Sequence, residues 1–333
     1  MAIGVGIIIL VLLILIVLIA ASLYFYKVGI MRTDKTFLWE RSATVSTDKG
    51  VGTEKQVSTS ALTGEAEANH AWLSAQEIED LTISSDEGML LHGSYIKAAK
   101  ETKRIAIAVH GYSGKGLDMA PYARLLREEL EMNVLMPDNR GHGSSEGNYI
   151  GFGWHDRKDL IRWIAYMVEK IGSDAEMVLL GVSMGGATVL MASGEHLPSQ
   201  VKAIIADCSY TSAEEQLKYQ LKQMYKLPSF PLMQITSFVT RVRAGYTFKE
   251  ASALKQVKQA KVPILFIHGE ADTFVPAAMV YELYDSCSSE KELFVVPGAA
   301  HGMALATDRS GYVSKVSAFV RRWMKENHSK EKQ

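Results

Sequence analysis

Residues 181–186 read GVSMGG and close the apolar run MVLLGV at 177–182. A serine set between glycines at such a point has two readings. It is a tight turn and nothing more, or it is a nucleophile on a sharp bend between a buried strand and a helix. The second reading explains the glycines, because a Cβ at 181 or 185 would collide with neighbouring backbone at so tight a turn. The pattern G-x-S-x-G is short and recurs by chance, so its place in the chain has to decide.

Working outward, short apolar runs alternate with helical patterns from about residue 78. Six runs read as strands buried on both faces: RIAIAVH (104–110), NVLMPD (133–138), MVLLGV (177–182), VKAIIAD (201–207), PILFIHG (263–269) and ELFVVPG (292–298). Their hydrophobicity is continuous, not alternating, which suits a parallel sheet covered on both sides. Leu160, Ile161, Ile164, Val168 and Ile171 share one helical face, as do Tyr312, Val313, Val316, Phe319, Val320 and Trp323. This alternation predicts an α/β fold. Two earlier runs, DLTISS (80–85) and MLLHGSYIKA (89–98), are joined by DEG and predict an antiparallel hairpin at the sheet edge. Residues 209–260 separate two strands by far more than a βα connection needs, so they predict a helical cap insertion. Its methionines and aromatic residues, Tyr210 and Met233 among them, are expected to form cap core more often than to touch substrate.

Ligands of open parallel sheets bind beyond the carboxyl ends of the strands. Ser183 stands at one such end. A serine needs a base to take its proton and a third group to orient that base. His301, in PGAAHG after the last strand, is the candidate base, since imidazole titrates in the right range. Asp272, in HGEADTFVP after the preceding strand, is the candidate orienting acid. The order Ser183, Asp272, His301 is the one expected of this kind of fold. Asp207 also ends a strand and is the runner-up acid. The oxyanion formed during acyl transfer needs donors, and backbone N–H groups of Met184 and of Tyr112 in HGYSG are placed to supply them. Asp138, Arg140 and His142 stand near the site but are expected to hold their own loop together. Cys208 reads as a small buried residue, and Glu214 and Glu215 as a solvated pair on a helix.

The motifs HGYSG, DNRGHGSSEG, GVSMGG, HGEADTFVP and GAAHG together resemble the α/β-hydrolase superfamily, and most of all bacterial membrane-anchored hydrolases of the esterase and serine-peptidase-like branch. The resemblance covers about residues 78–325. It implies a mostly parallel eight-stranded sheet with helices on both faces, and serine hydrolysis of esters or amides. It also places Ser183 on the nucleophile, Asp272 on the acid, His301 on the base, and Tyr112 and Met184 on the oxyanion hole. An ester hydrolase acting on apolar or aromatic acyl groups is the leading expectation. A peptidase or amidase with the same triad and a non-catalytic binding module are the alternatives. No cofactor is expected.

Composition narrows the partners. The 333 residues carry a net charge of −1, with 36 basic and 37 acidic side chains, so no basic surplus points to nucleic acid. The two cysteines, Cys208 and Cys287, form neither a disulfide framework nor a metal-type spacing. Residues 3–26 hold no charge and are long enough to cross a bilayer as a helix. Tyr24, Phe25 and Tyr26 followed by Lys27 fit an interfacial belt. The run lacks a basic leading segment and is long for a signal peptide, so residues 1–26 read as a transmembrane anchor. Lys27, Arg32, Lys35 and Arg41 follow it, which points the C-terminal bulk to the cytoplasm; the opposite side stays open. Residues 27–75 read as a polar tether with a short helix near Ala71–Glu77, and residues 76–329 as the hydrolase domain, with the cap at about 209–260.

Overall fold

The computed structural model describes residues 2–33 and 59–330. Eight strands form one sheet: β1 (Ile78–Ser84), β2 (Leu90–Ile96), β3 (Arg104–Val109), β4 (Asn133–Pro137), β5 (Glu176–Val182), β6 (Val201–Asp207), β7 (Ile264–Gly269) and β8 (Lys291–Val296). Their spatial order is β1-β2-β4-β3-β5-β6-β7-β8. β2 runs antiparallel to both of its neighbours, and every pairing from β4 to β8 is parallel. The hairpin expected at 80–98 is thus the sheet edge, and the six buried-strand runs are β3 to β8.

The continuous hydrophobicity of these runs has a direct cause. Alternate side chains of one strand enter different cores. In β3, Ile105, Ile107 and Val109 belong to one core, and Ala106 and Ala108 to the other. The helices divide in the same way. α3 (Ala120–Leu130) and α9 (Arg309–Lys330) cover one face with Tyr122, Leu126, Tyr312 and Phe319. α4 (Asp156–Ile171), α5 (Met184–Ser193) and α8 (Ala278–Ser286) cover the other with Leu160, Trp163, Val189 and Leu283. α5 has no polar face because it is buried all round.

The cap consists of α6 (Ala213–Gln220), a turn of π-helix at Leu221–Tyr225 and α7 (Leu232–Ala244). It is pinned to the body by hydroxyls. Tyr246 donates to the Ile150 carbonyl at 2.7 Å and Tyr210 to that of Phe152 at 3.1 Å.

At the N-terminus, α1 (Ala2–Gly29) packs its last turns along α7. Residues 3–17 of α1 are exposed throughout, whereas Ser22, Tyr26 and Ile30 are buried. The expected boundary at residue 26 is passed without a break. The chain continues on the α/β body, where Met31 bridges Tyr149 and Ile150 donates its N–H to the Ile30 carbonyl at 2.7 Å. Arg32 donates to the carbonyls of Ser145 at 2.7 Å and Gly143 at 2.6 Å. The middle of the expected tether, residues 34–58, lies outside the described residues. The expected short helix at Ala71–Glu77 is a longer one, α2 (Thr59–Ser74), whose Trp72 and Leu73 pack against the α3/α9 core. Those two apolar side chains give the segment its packing face, which the polar composition of the residues before it conceals.

Candidate active site

The strand β5 and the fully buried α5 meet at Ser183 with almost no connecting chain. The price of that junction is a backbone at φ 56° and ψ −115° on a residue with a Cβ. A β-carbon on Gly181 would run into the Gly185 carbonyl, and one on Gly185 into the Val109 carbonyl of β3. Both glycines are therefore required by close backbone approach, as the sequence suggested.

The loops after β7 and β8 bring two further side chains to Ser183. His301 Nε2 lies 2.9 Å from Ser183 Oγ, and His301 Nδ1 lies 2.7 Å from Asp272 Oδ2. A carboxylate only accepts, so Nδ1 carries the proton and the Nε2 lone pair faces the hydroxyl. Asp272 is itself fixed. Its Oδ1 accepts the N–H groups of Phe274 at 2.9 Å and Val275 at 2.8 Å. Burial pushes its pKa up, but hydrogen bonds from His268 and His301, together with their charges, outweigh that and hold it at about 2. It is an anion throughout the physiological range.

His268 was not singled out from sequence. Its Nε2 lies 3.2 Å from Asp272 Oδ2 and 2.9 Å from the Val275 carbonyl, with the ring fully buried. Burial lowers its pKa, yet the Asp272 carboxylate raises it above the ordinary histidine value on balance. The readable signal was a histidine at the end of an apolar strand, four residues before the acid. Phe274 stacks against the His301 ring, with centroids 4.9 Å apart.

Tyr112 and Met184 line one cavity with Ser183. Met184 is the first residue of α5, where helical N–H groups lack intrahelical partners. The backbone at Gly111 approaches so closely that a Cβ there would stand 3.4 Å from that of Ser183. The Tyr112 loop is stitched from below. Buried His110 accepts the Asn139 N–H on Nε2 at 3.0 Å, and Nδ1 faces the Gly111 carbonyl at 2.7 Å. Burial drives its pKa down to about 3, so the ring is a neutral wedge.

The neighbouring polar residues have structural work. Asp138 accepts N–H groups of Gly116 and Ser144, and His142 accepts that of Ser113. Arg140, 1% exposed, forms two parallel bonds to Asp159 at 2.6 and 2.7 Å. The Asp207 carboxylate is bonded to neither Ser183 Oγ nor His301: its Oδ2 accepts the Tyr312 hydroxyl at 3.0 Å and the Tyr122 hydroxyl at 3.5 Å, while its backbone carbonyl accepts the Ser183 N–H at 2.8 Å. Glu214 and Glu215 both pair with Lys218 at 3.0 Å. Cys208 is buried. Among the described residues, no three His, Cys, Asp or Glu side chains cluster as metal ligands.

The cavity over Ser183 has a volume of about 120 Å³ and a mostly apolar wall. Tyr210, Met233 and Phe248 of the insertion line it while also belonging to the core, so the expected division between cap core and substrate contact is not a clean one. Phe25, Val28, Gly29 and Ile30 of the N-terminal segment line it as well. Nothing in an unbroken apolar run marks which of its residues face a pocket, so this contribution was invisible in the sequence.

Residues 122–327 match the model of the prolyl oligopeptidase family. The Bacillus subtilis protein YqkD is 31% identical over 238 residues, covering 72% of this chain and 77% of that protein. The monoglyceride lipase of Rattus norvegicus is 25% identical over 248 residues, covering 65% of this chain and 80% of the lipase. Among solved structures, the Pyrococcus furiosus esterase Pf2001 matches with a TM-score of 0.61 at 25% identity, covering 75% of this chain and 94% of the esterase.

Proposed function

The chain belongs to the prolyl oligopeptidase family and is a serine hydrolase, and from that premise we propose that it cleaves carboxylic esters of apolar or aromatic acids through an acyl-enzyme on Ser183. The observation that carries the reading is the run of short hydrogen bonds from Ser183 through His301 to an ionised Asp272, beneath an apolar cavity.

In this mechanism His301 Nε2 takes the Ser183 proton as Oγ attacks the ester carbonyl. Asp272 holds the ring in the tautomer that leaves Nε2 free and stabilises the imidazolium that forms. The N–H groups of Tyr112 and Met184 bind the oxyanion. His301 returns its proton to the leaving alcohol. A water molecule, deprotonated by the same nitrogen, then releases the acid and restores Ser183. A family described by its peptidases keeps amide cleavage as the second reading. Against it, Glu214 and Glu215 are engaged with Lys218 and do not present a bare acidic pair to a peptide amino terminus. We also read α1 as a membrane anchor, with the hydrolase body on the cytoplasmic side by the positive charges that follow the span. Protease protection in right-side-out and inverted vesicles tests that side.

The test of activity uses the full chain in detergent micelles, as wild type and as Ser183→Ala. Each is treated with a fluorophosphonate and then with p-nitrophenyl esters of increasing acyl length and a panel of peptide p-nitroanilides. The expected result is labelling and ester turnover in wild type, rising with acyl length, and neither in Ser183→Ala. Anilides cleaved faster than esters would transfer the assignment to the peptidase reading. A folded wild type that neither labels nor turns over would remove the nucleophile assignment.

A further inference from the structure

The cavity wall and the membrane span are parts of one helix. In α1 the wholly exposed stretch is residues 3–17. Fifteen helical residues rise only about 22 Å, short of the roughly 30 Å of a hydrocarbon layer. The uncharged run continues to Tyr26, so the apolar turns that suit a bilayer include those that already pack against the cap. There, Ser22 is buried and Phe25 stacks edge-on against Tyr225, with centroids 4.9 Å apart. One turn further, Val28, Gly29 and Ile30 line the cavity that holds Ser183. The Gly29 carbonyl also accepts the Tyr112 hydroxyl at 2.8 Å, which ties the end of α1 to the loop beside the nucleophile.

The cap surface near this junction is unusual for a protein surrounded by water. Phe230 is 73% exposed, Phe238 67% and Val242 69%. Phe238 and Val242 stand four residues apart and so share one face of α7. The same cap carries cations: Lys222 and Lys226 are exposed, and the guanidinium of Arg243, next to Val242 in the chain, lies over the Tyr26 ring at 5.6 Å. Apolar side chains with basic neighbours, on a helix packed along a membrane span, suit the interfacial layer of a bilayer.

We propose that the substrate is a membrane-resident acyl ester whose chain leaves the bilayer alongside the last turns of α1, with Phe25 and Val28 as the specificity-determining wall of its pocket. The proposal rests on the hydrolase and anchor readings above. The cap crest of Phe230, Phe238 and Val242 sits in the lipid interface and holds the cavity against it. The chain then passes from hydrocarbon to an apolar cavity without crossing water, and the ester carbonyl stops at Ser183.

The test uses the full chain in phosphatidylcholine nanodiscs and in detergent micelles. The probes are fluorogenic oleoyl and butyryl esters, with vesicle flotation and fluorophosphonate labelling measured in parallel. Val28→Trp narrows the wall and is expected to lower the oleoyl-to-butyryl ratio of kcat/KM by about tenfold, while Val28→Ala lowers it by less than about threefold. Phe238→Ser/Val242→Ser is expected to lower the oleoyl rate in nanodiscs relative to micelles by about fivefold or more. If Val28→Trp reduces both esters alike, or the crest variant moves no ratio, the bilayer route is wrong. A crest variant that changes only the oligomeric size would give that face to a second copy and equally overturn it. Wild type that floats but does not label defeats the hydrolase reading, and wild type that labels but does not float defeats the anchor reading. In either case the proposal falls with its premise.

Discussion

Ser183 is asked to hold a conformation that favours glycine, and this makes an unusual stability order measurable. Its φ of 56° and ψ of −115° lie close to the first central position of a type II′ turn, where a Cβ is crowded. Strain of this kind is worth about 1–3 kcal/mol. Ser183→Ala and Ser183→Gly both lose the hydroxyl and its 2.9 Å bond to His301, so comparing the two cancels that loss. What remains is the strain, which alanine keeps and glycine relieves, against the freedom glycine adds to the unfolded chain, about 0.4–1 kcal/mol. The balance favours glycine by up to about 2.6 kcal/mol, centred near about 1 kcal/mol, whereas at an ordinary position alanine is favoured. In a body of this size the central value is a Tm difference of about 2–4 °C and the upper limit about 10 °C. Thermal unfolding of both variants, followed by tryptophan fluorescence of the full chain in micelles, reads it directly. Neither should label with a fluorophosphonate. If alanine is as stable as glycine or more so, the junction is not strained and the argument from backbone geometry fails.

Asp272→Asn turns an acceptor toward His301 Nδ1 into a possible donor and should lower kcat by about 10³- to 10⁴-fold with KM little changed; a loss below tenfold would mean the ring is oriented by something else. Arg140→Met leaves the Asp159 carboxylate buried without its partner and should destabilise the fold by about 3–5 kcal/mol at pH 8 in urea titrations. Arg140→Met/Asp159→Leu should recover most of that loss, and a double variant as unstable as the single one would refute the pairing argument. Burial raises the Asp207 pKa to about 6, with the Tyr312 hydroxyl opposing. Its folded value lies above its unfolded one, so the associated stability is full below about pH 4 and is lost as pH rises through 6. Relative to Asp207→Asn, wild type should lose on the order of 3 kcal/mol across that interval, and parallel pH profiles for the two would remove the assignment.

The strands were legible because burial on both faces writes continuous hydrophobicity into β3 to β8. The residues meeting at Ser183 were legible because each follows a strand at the same end of the sheet. The partners of those residues were harder to read. His268 acts through a four-residue offset that only the β7 turn brings together. Asp159 is a helix residue whose pairing with Arg140 depends on how α4 packs. The largest omission was the pocket wall from Phe25 to Ile30. A membrane span and a pocket lining are both apolar, so composition cannot separate the two.

The Arg32 bonds to the carbonyls of Gly143 and Ser145 carry a further consequence. Chain on both sides of residues 34–58 is fastened to the same rigid body, on one side by Arg32 and Met31, on the other by Trp72 and Leu73. Both described ends are thereby held at fixed places on that body. The distance from Ser183 to the exposed turns of α1 is therefore set by packing between described elements. On the proposed anchor reading, that fixed distance holds the active site at one depth relative to the bilayer, so the enzyme surveys a single layer and does not range outward on a leash.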